Sequence, residues 1–382
     1  MTPATARSVD MHVHVGIMGT PGSESGFMSR KMRDSAVFRI FLLYTRIPQN
    51  EVSDARLRSA ALEIVRSSQV DRVVCLALDA VYDETGKRDF GKTTMFVPNE
   101  FILGLQRELP DRILFGASVH PFDPAFKQRV TQAVADGAAL LKWLPSAQQI
   151  NLADGRVGTA LRFLATAGRG GDPLPLLVHI GTEGAIMSTD PATMSYDFLS
   201  WGTWDRFWNA LRPKGKRWAT PDLAAIHANL QQGLQAGACI IFAHCGLPYF
   251  APRFLGKVAE HNDIDAIGEY LRKFPGQGGT VKGKAFADVS ACVTPFRQSY
   301  FRDIGKLPPG SLLVGSDCPV PIFELSADFD ENMRDLKAVL EGNLDRIVIP
   351  QGNLLDVNMR ELRAAFPGHP MFTNASQIPR WT

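Results

Sequence analysis

Eight short apolar runs punctuate the chain, at residues 9–15, 72–78, 113–119, 139–144, 174–180, 239–244, 285–290 and 312–317. Each has the length of a strand and is apolar nearly throughout, the pattern of a strand covered on both faces in a parallel sheet. The stretches between them carry apolar residues at helical spacing. Ser53 caps a predicted helix with Leu57, Ala60, Ala61, Ile64 and Val65 on one stripe. Asn99 caps a second with Phe101, Ile102, Leu105 and Leu109. Pro221 and Asp222 open a third with Leu223, Ile226 and Leu230, and Asn332 starts a fourth with Met333, Leu336, Val339 and Leu340. Alternating strands and helices are βα units. Eight of them predict an α/β fold closed as a (β/α)8 TIM barrel, one domain over residues 1–382. A doubly wound dinucleotide fold is disfavoured, because no GxGxxG turn follows the first run.

Two gaps are long, 16–50 after the first run and 181–238 after the fifth. Loops that follow barrel strands sit on the face that carries active sites, so both inserts are expected there. The second insert holds Trp201, Trp204, Trp208 and Trp218, four of the six tryptophans. These rings either pack the insert onto the barrel or line a pocket for an apolar or aromatic substrate.

Length alone would allow two or three domains in 382 residues, or one barrel with long loops. With 41 Lys and Arg against 39 Asp and Glu, the net charge of +2 argues against a nucleic-acid partner. No apolar stretch nears the roughly 18 residues of a membrane span. The first residues lack the apolar core of a signal peptide. Five cysteines with no CxxC fit a reduced, cytoplasmic protein.

Polar residues interrupt the apolar runs at telling places. His12 and His14 form an HxH near the end of the first run, a spacing that puts both rings on one face of a strand. Lys142 interrupts the fourth run, His179 ends the fifth, His244 the sixth and Asp317 the eighth. A lone histidine at a strand end is more often structural than a ligand. Here, however, all of these strand ends converge on one mouth. Imidazoles and a carboxylate suit Zn above all, with Mn, Fe or Ni as alternatives. Such an ion lowers the pKa of its water to roughly 7, and a neighbouring carboxylate can shuttle the proton. Lys142 stays open between a ligand, a substrate or ion-pair contact, and packing.

The segment Asp10-Met11-His12-Val13-His14, followed by Lys142-Trp143-Leu144-Pro145, His179, Phe242-Ala243-His244-Cys245-Gly246 and Gly315-Ser316-Asp317-Cys318-Pro319, resembles the amidohydrolase superfamily. The closer likeness is to its amidohydrolase-2 (amidohydrolase-related) family, and it includes Ala117-Ser118-Val119-His120-Pro121. The resemblance implies that His12, His14 and Asp317 hold a first metal and that His179 is also a ligand. It gives His244 two roles: orienting or deprotonating the reactive water with one metal, or ligating a second. In the two-metal version a carboxylated Lys142 would bridge the pair. The family's decarboxylase group usually lacks a lysine there, which favours hydrolysis.

Weaker candidates are His120 and Glu183 as substrate contacts, and Arg297 or Arg217 as a clamp for a substrate carboxylate. The expected function is a metal-dependent hydrolase in which Asp317 and His244 are the acid–base groups and an amide, lactam, lactone or ester of a small molecule is cleaved. The alternative is a nonoxidative decarboxylase of an aromatic or muconate-like acid. A barrel whose metal is only structural is disfavoured, because structural sites are closed and this one lies at a mouth. A homo-oligomer is compatible with such barrels, and no membrane partner is expected.

Overall fold

The computed structural model describes residues 8–248, 261–294, 297–319, 350–378 and 381. Eight strands form one sheet: β1 (Val9–His14), β2 (Arg72–Leu76), β3 (Ile113–Ala117), β4 (Leu140–Trp143), β5 (Leu176–Val178), β6 (Cys239–Phe242), β7 (Lys284–Asp288) and β8 (Leu312–Leu313). Each pairs in parallel with the next in chain order. The ring closes at the residues beyond β8. Met11 N donates to Val314 O at 3.1 Å, Asp317 N to His12 O at 2.8 Å and His14 N to Cys318 O at 2.7 Å. The eight apolar runs thus become eight parallel strands of a nearly closed (β/α)8 barrel, in the expected order.

The strands are buried on both faces because two apolar layers flank them. Outside, a continuous core joins strand residues such as Val73, Phe115, Leu141 and Ile240 to the surrounding helices. Inside, Met11, Val74, Leu140, Leu177, Ile241, Phe286 and Leu313 form a separate cluster. Ile378 and Trp381 join it, and the fully buried Trp381 indole donates to Ala139 O at 3.1 Å.

Two of the predicted caps sit where the sequence puts them. Ser53 Oγ accepts from Arg56 N at the start of helix Asp54–Ser67, and Asp222 from Ala225 N at the start of Leu223–Ala236. The second helix differs. Pro98 occupies the cap position, and Asn99 is already helical. The Asn99 amide instead accepts from Ser118 N at 2.9 Å and donates to Ser118 O at 3.2 Å, tying the helix to the end of β3. The helix expected from Asn332 lies outside the described residues. The two long inserts meet over one side of the barrel. Thr94 links them, its carbonyl accepting from Ser29 N and its hydroxyl donating to Met187 O. No helix among the described residues is long and apolar enough to cross a membrane.

Candidate metal centre

Strand alternation builds the site directly above the apolar floor. On β4, Leu140 belongs to the interior cluster, and Lys142, two residues on, shares its side of the strand. Leu177 and His179, Phe286 and Asp288, and Leu313 and Asp317 follow the same period of two. β1 needs a change of phase, because Val9 and Met11 belong to the floor while His12 and His14 reach the site. Its pairing with β2 shifts register between Asp10 and Val13, and that bulge supplies the change. His244 and Asp317 adopt φ of 55° and 60°. Non-glycine residues in this region cost about 1–3 kcal/mol each and persist where the surrounding structure holds them. Here the turn ends two strands and leaves both side chains at the mouth.

Three donor atoms lie close together. His12 Nε2 is 3.1 Å from His14 Nε2, and Asp317 Oδ1 is 3.3 Å from the first and 3.4 Å from the second. Around an ion with bonds of about 2.0–2.1 Å, tetrahedral ligands stand about 3.3–3.4 Å apart. The triangle therefore has the size of one face of a metal tetrahedron, and its donors are those that Zn and its neighbours take.

The outer partners fix which nitrogens are free. His12 Nδ1 is 2.9 Å from Asp288 Oδ2, so it donates, and Nε2 carries the lone pair toward the triangle. His244 Nδ1 donates to the Ser290 carbonyl at 3.1 Å and to Ser290 Oγ at 2.8 Å, so its Nε2 is likewise unprotonated. That nitrogen is 3.9 Å from Asp317 Oδ2. The other Asp288 oxygen accepts from His244 N at 2.9 Å, Ser290 N at 3.0 Å and the Ser290 hydroxyl. Asp288 and Ser290 hold His12 and His244 in place, and neither was among the sequence candidates. Their signal was the same as for the others: two polar residues, two apart, inside the apolar run 285–290. Asp10, fully buried and raised to about 6 by that burial, joins His12 N to Ser316 N across the seam.

Electrostatics keep the imidazoles neutral. Burial, and then the Lys142 amine, push His12 well below its ordinary value and His14 down to about 3. Burial also lowers His179 to about 4. Burial and then Arg297 lower His244. Burial raises Asp317 well above the carboxylate range, against the pull of Lys142. The Lys142 amine is itself lowered by burial and sits 3.2 Å from His12 Nε2.

His179 departs from the expected single cluster. Among the described residues two sets of donors lie within 4.8 Å of one another, His12, His14 and Asp317, and His12, His244 and Asp288, and His179 is in neither. Its ring packs edge-on against His244, with centroids 5.1 Å apart. Both its ring nitrogens are buried without a hydrogen-bond partner, and Glu183 Oε2 lies 3.5 Å from Nδ1. Two orphaned imidazole nitrogens beside the triangle fit a site that receives an ion.

Two weaker candidates are corrected. The His120 ring is fully buried, with Nε2 donating to Gln148 O at 3.0 Å and Nδ1 accepting from Phe122 N at 3.1 Å. Stacked on Tyr82, it holds a loop together and has no free nitrogen for a substrate. Arg217 donates to Arg212 O and Ala210 O, closing the end of helix Thr203–Leu211 rather than reaching the mouth. Glu183 is buried, and its Oε1 accepts from Ala185 N and Ile186 N, which leaves Oε2 toward His179. Arg297 is buried, and its Nε donates to Pro248 O at 2.7 Å. No carboxylate pairs with its guanidinium among the described residues.

No sequence-family model matches the chain, and no curated protein matches it in sequence. Solved structures do resemble it in shape. An uncharacterised TIM-barrel protein from Bordetella bronchiseptica shares 12% identity over 94% of this chain and 99% of its own, with a TM-score of 0.47. A probable 2-pyrone-4,6-dicarboxylic acid hydrolase from Acinetobacter baumannii shares 13% over 88% and 92%, with a TM-score of 0.39. A 5-carboxyvanillate decarboxylase from Novosphingobium aromaticivorans, complexed with manganese and a nitrobenzoic acid, shares 13% over 93% and 96%, with a TM-score of 0.40. Hydrolases and decarboxylases both stand among these neighbours, and the chain, by its own strand pairing, is a (β/α)8 barrel.

Proposed function

We propose that the chain is a metal-dependent hydrolase of the amidohydrolase-related family that cleaves an amide, lactam, lactone or ester of a small molecule. The observation that carries this is the triangle of His12 Nε2, His14 Nε2 and Asp317 Oδ1, with edges of 3.1, 3.3 and 3.4 Å. His179 and His244 stand beside it with unprotonated nitrogens available. A divalent ion held there supplies a Lewis acid for the carbonyl and a water ionised near neutral pH. The chain's own residues do the rest. Asp317 uses Oδ1 toward the histidines and keeps Oδ2 to take a proton and return it to the leaving group. His244, its Nδ1 anchored on Ser290, offers a fixed Nε2 on the other side of that oxygen. The apolar floor beneath closes the site to water from below.

A second reading, nonoxidative decarboxylation of an aromatic acid, draws on Arg297. A buried guanidinium with no carboxylate partner among the described residues suits a substrate carboxylate. One experiment separates the two. Purified protein is expected to carry at least about one Zn, Mn, Fe or Ni per chain and to lose it in His12→Ala. The loaded protein is then offered aryl esters, lactones and amides in one arm, and hydroxybenzoates in the other, with acid release and CO2 release as readouts. Hydrolysis lost in Asp317→Asn supports the first reading, and CO2 release without hydrolysis replaces it with the second. Full metal retention in His12→Ala overturns both.

A further inference from the structure

Between the two inserts lies a cavity of about 940 Å³. Small-molecule sites run to about 300–1,000 Å³, so this one has room for a fused aromatic system rather than a single ring. Among its lining residues is Glu183, whose Oε2 lies 3.5 Å from His179 Nδ1. Its apolar wall is made by Trp204, Trp208 and Trp218. Trp218 is fixed edge-to-face on Phe198 with centroids 5.5 Å apart, while Trp204 and Trp208 are 54% and 46% exposed. Half-exposed indoles facing a cavity cost apolar hydration that a flat aromatic occupant would recover.

Among the described residues, two ammonium groups stand on the cavity wall, Lys31 from the first insert and Lys216 from the second, while Arg212 lies over the Trp218 ring. The two carboxylates on the wall are already engaged. Glu183 accepts from two main-chain N–H groups, and Asp205 accepts from Gly202 N and pairs with His261 at 3.1 Å. An occupant that balances the ammonium groups carries an anion.

We infer that the tryptophan cavity is the binding site for the far end of the substrate, a fused or extended aromatic group bearing an anionic substituent. This deepens the hydrolase reading and rests on it, since the scissile bond would lie at the metal triangle. The substrate class is then an ester or amide of an aromatic acid or phenol with a second, distal acidic group.

The test is calorimetric titration of the full-length, metal-loaded protein with 2-naphthalenesulfonate, and with the neutral 2-naphthol for comparison. The sulfonate is expected to bind more tightly than the naphthol. Trp208→Ala is expected to weaken it about tenfold, and Trp208→Phe much less. Lys31→Gln combined with Lys216→Gln should erase the preference for the anion. His12→Ala should leave the titration unchanged, so a failed metal site and a failed cavity are told apart. The inference is overturned if neither ligand binds, if Trp208→Ala and the lysine pair titrate like the parent, or if binding vanishes in His12→Ala.

Discussion

Replacing Asp288 with asparagine would keep its shape and remove its ability to accept on both sides. One oxygen accepts from His12 Nδ1 and the other from His244 N, Ser290 N and the Ser290 hydroxyl, so an amide NH2 must face a donor on one side. Asp288→Asn is expected to lower metal affinity about 10–100-fold with the fold retained, measured by competition with a chelator. Gly315 acts by size. A Cβ there would stand 2.9 Å from His12 Cβ and 3.0 Å from Ser290 Cβ, so Gly315→Ala should push on His12 and cost about 1–3 kcal/mol in denaturant titrations, with metal loss beside it. Lys142 decides between one metal and two. A free ammonium repels a dication and has no lone pair to donate, whereas a deprotonated or carboxylated lysine can sit 3.2 Å from His12 Nε2. If it bridges, Lys142→Ala with bicarbonate present should drop the metal count from about two toward one or none. An unchanged count of about one assigns Lys142 to the substrate or to the ligands' surroundings.

At the scale of elements, His261 joins the second insert to the barrel. It pairs with Asp205 of helix Thr203–Leu211 at 3.1 Å and with Asp263, just before helix Ile264–Lys273, at 2.7 Å. Burial alone would push the imidazole down, but the two carboxylates override it and hold it at about 10. The ordinary value is 6.5, so the folded state binds the proton more tightly than the unfolded one. This contribution to stability is complete below about pH 6.5 and is lost as pH rises through about 10. Urea midpoints should fall over that window, and the fall should be smaller in His261→Gln. Equal slopes would remove His261 from the account. The strands themselves were legible because runs covered on both faces are apolar at every position, and His12, His14 and Asp317 because a polar residue in such a run needs a reason. The bulge in β1 left no such mark, since register is a property of two strands. Nor did the separation of His179 from the triangle, which depends on how far each strand end turns inward. His120 misled because a strand-end histidine looks the same in sequence whether its nitrogens meet a substrate or a main-chain carbonyl.

For the whole molecule, an ion that binds only the folded barrel adds stability by mass action, about 2.7 kcal/mol at a hundred times its dissociation constant. Chelation should therefore lower Tm by several degrees and readdition should restore it, while His12→Ala should melt like the stripped protein. A chelator without effect on Tm would remove the ion from the folded state's account. The seam between β1 and the residues after β8 has a consequence for biosynthesis. Asp10 and Ser316, whose hydrogen bond joins the two sides, are 306 residues apart. At about 5–20 residues per second, a ribosome needs roughly 15–60 s between making one and the other. For all that time the nascent chain exposes an HxH pair with no carboxylate opposite it, a weak and unselective trap for whatever cation is most abundant. Only when the last strand docks does the pocket acquire its third donor, so if the triangle holds an ion, the choice of metal would fall on a barrel already closed.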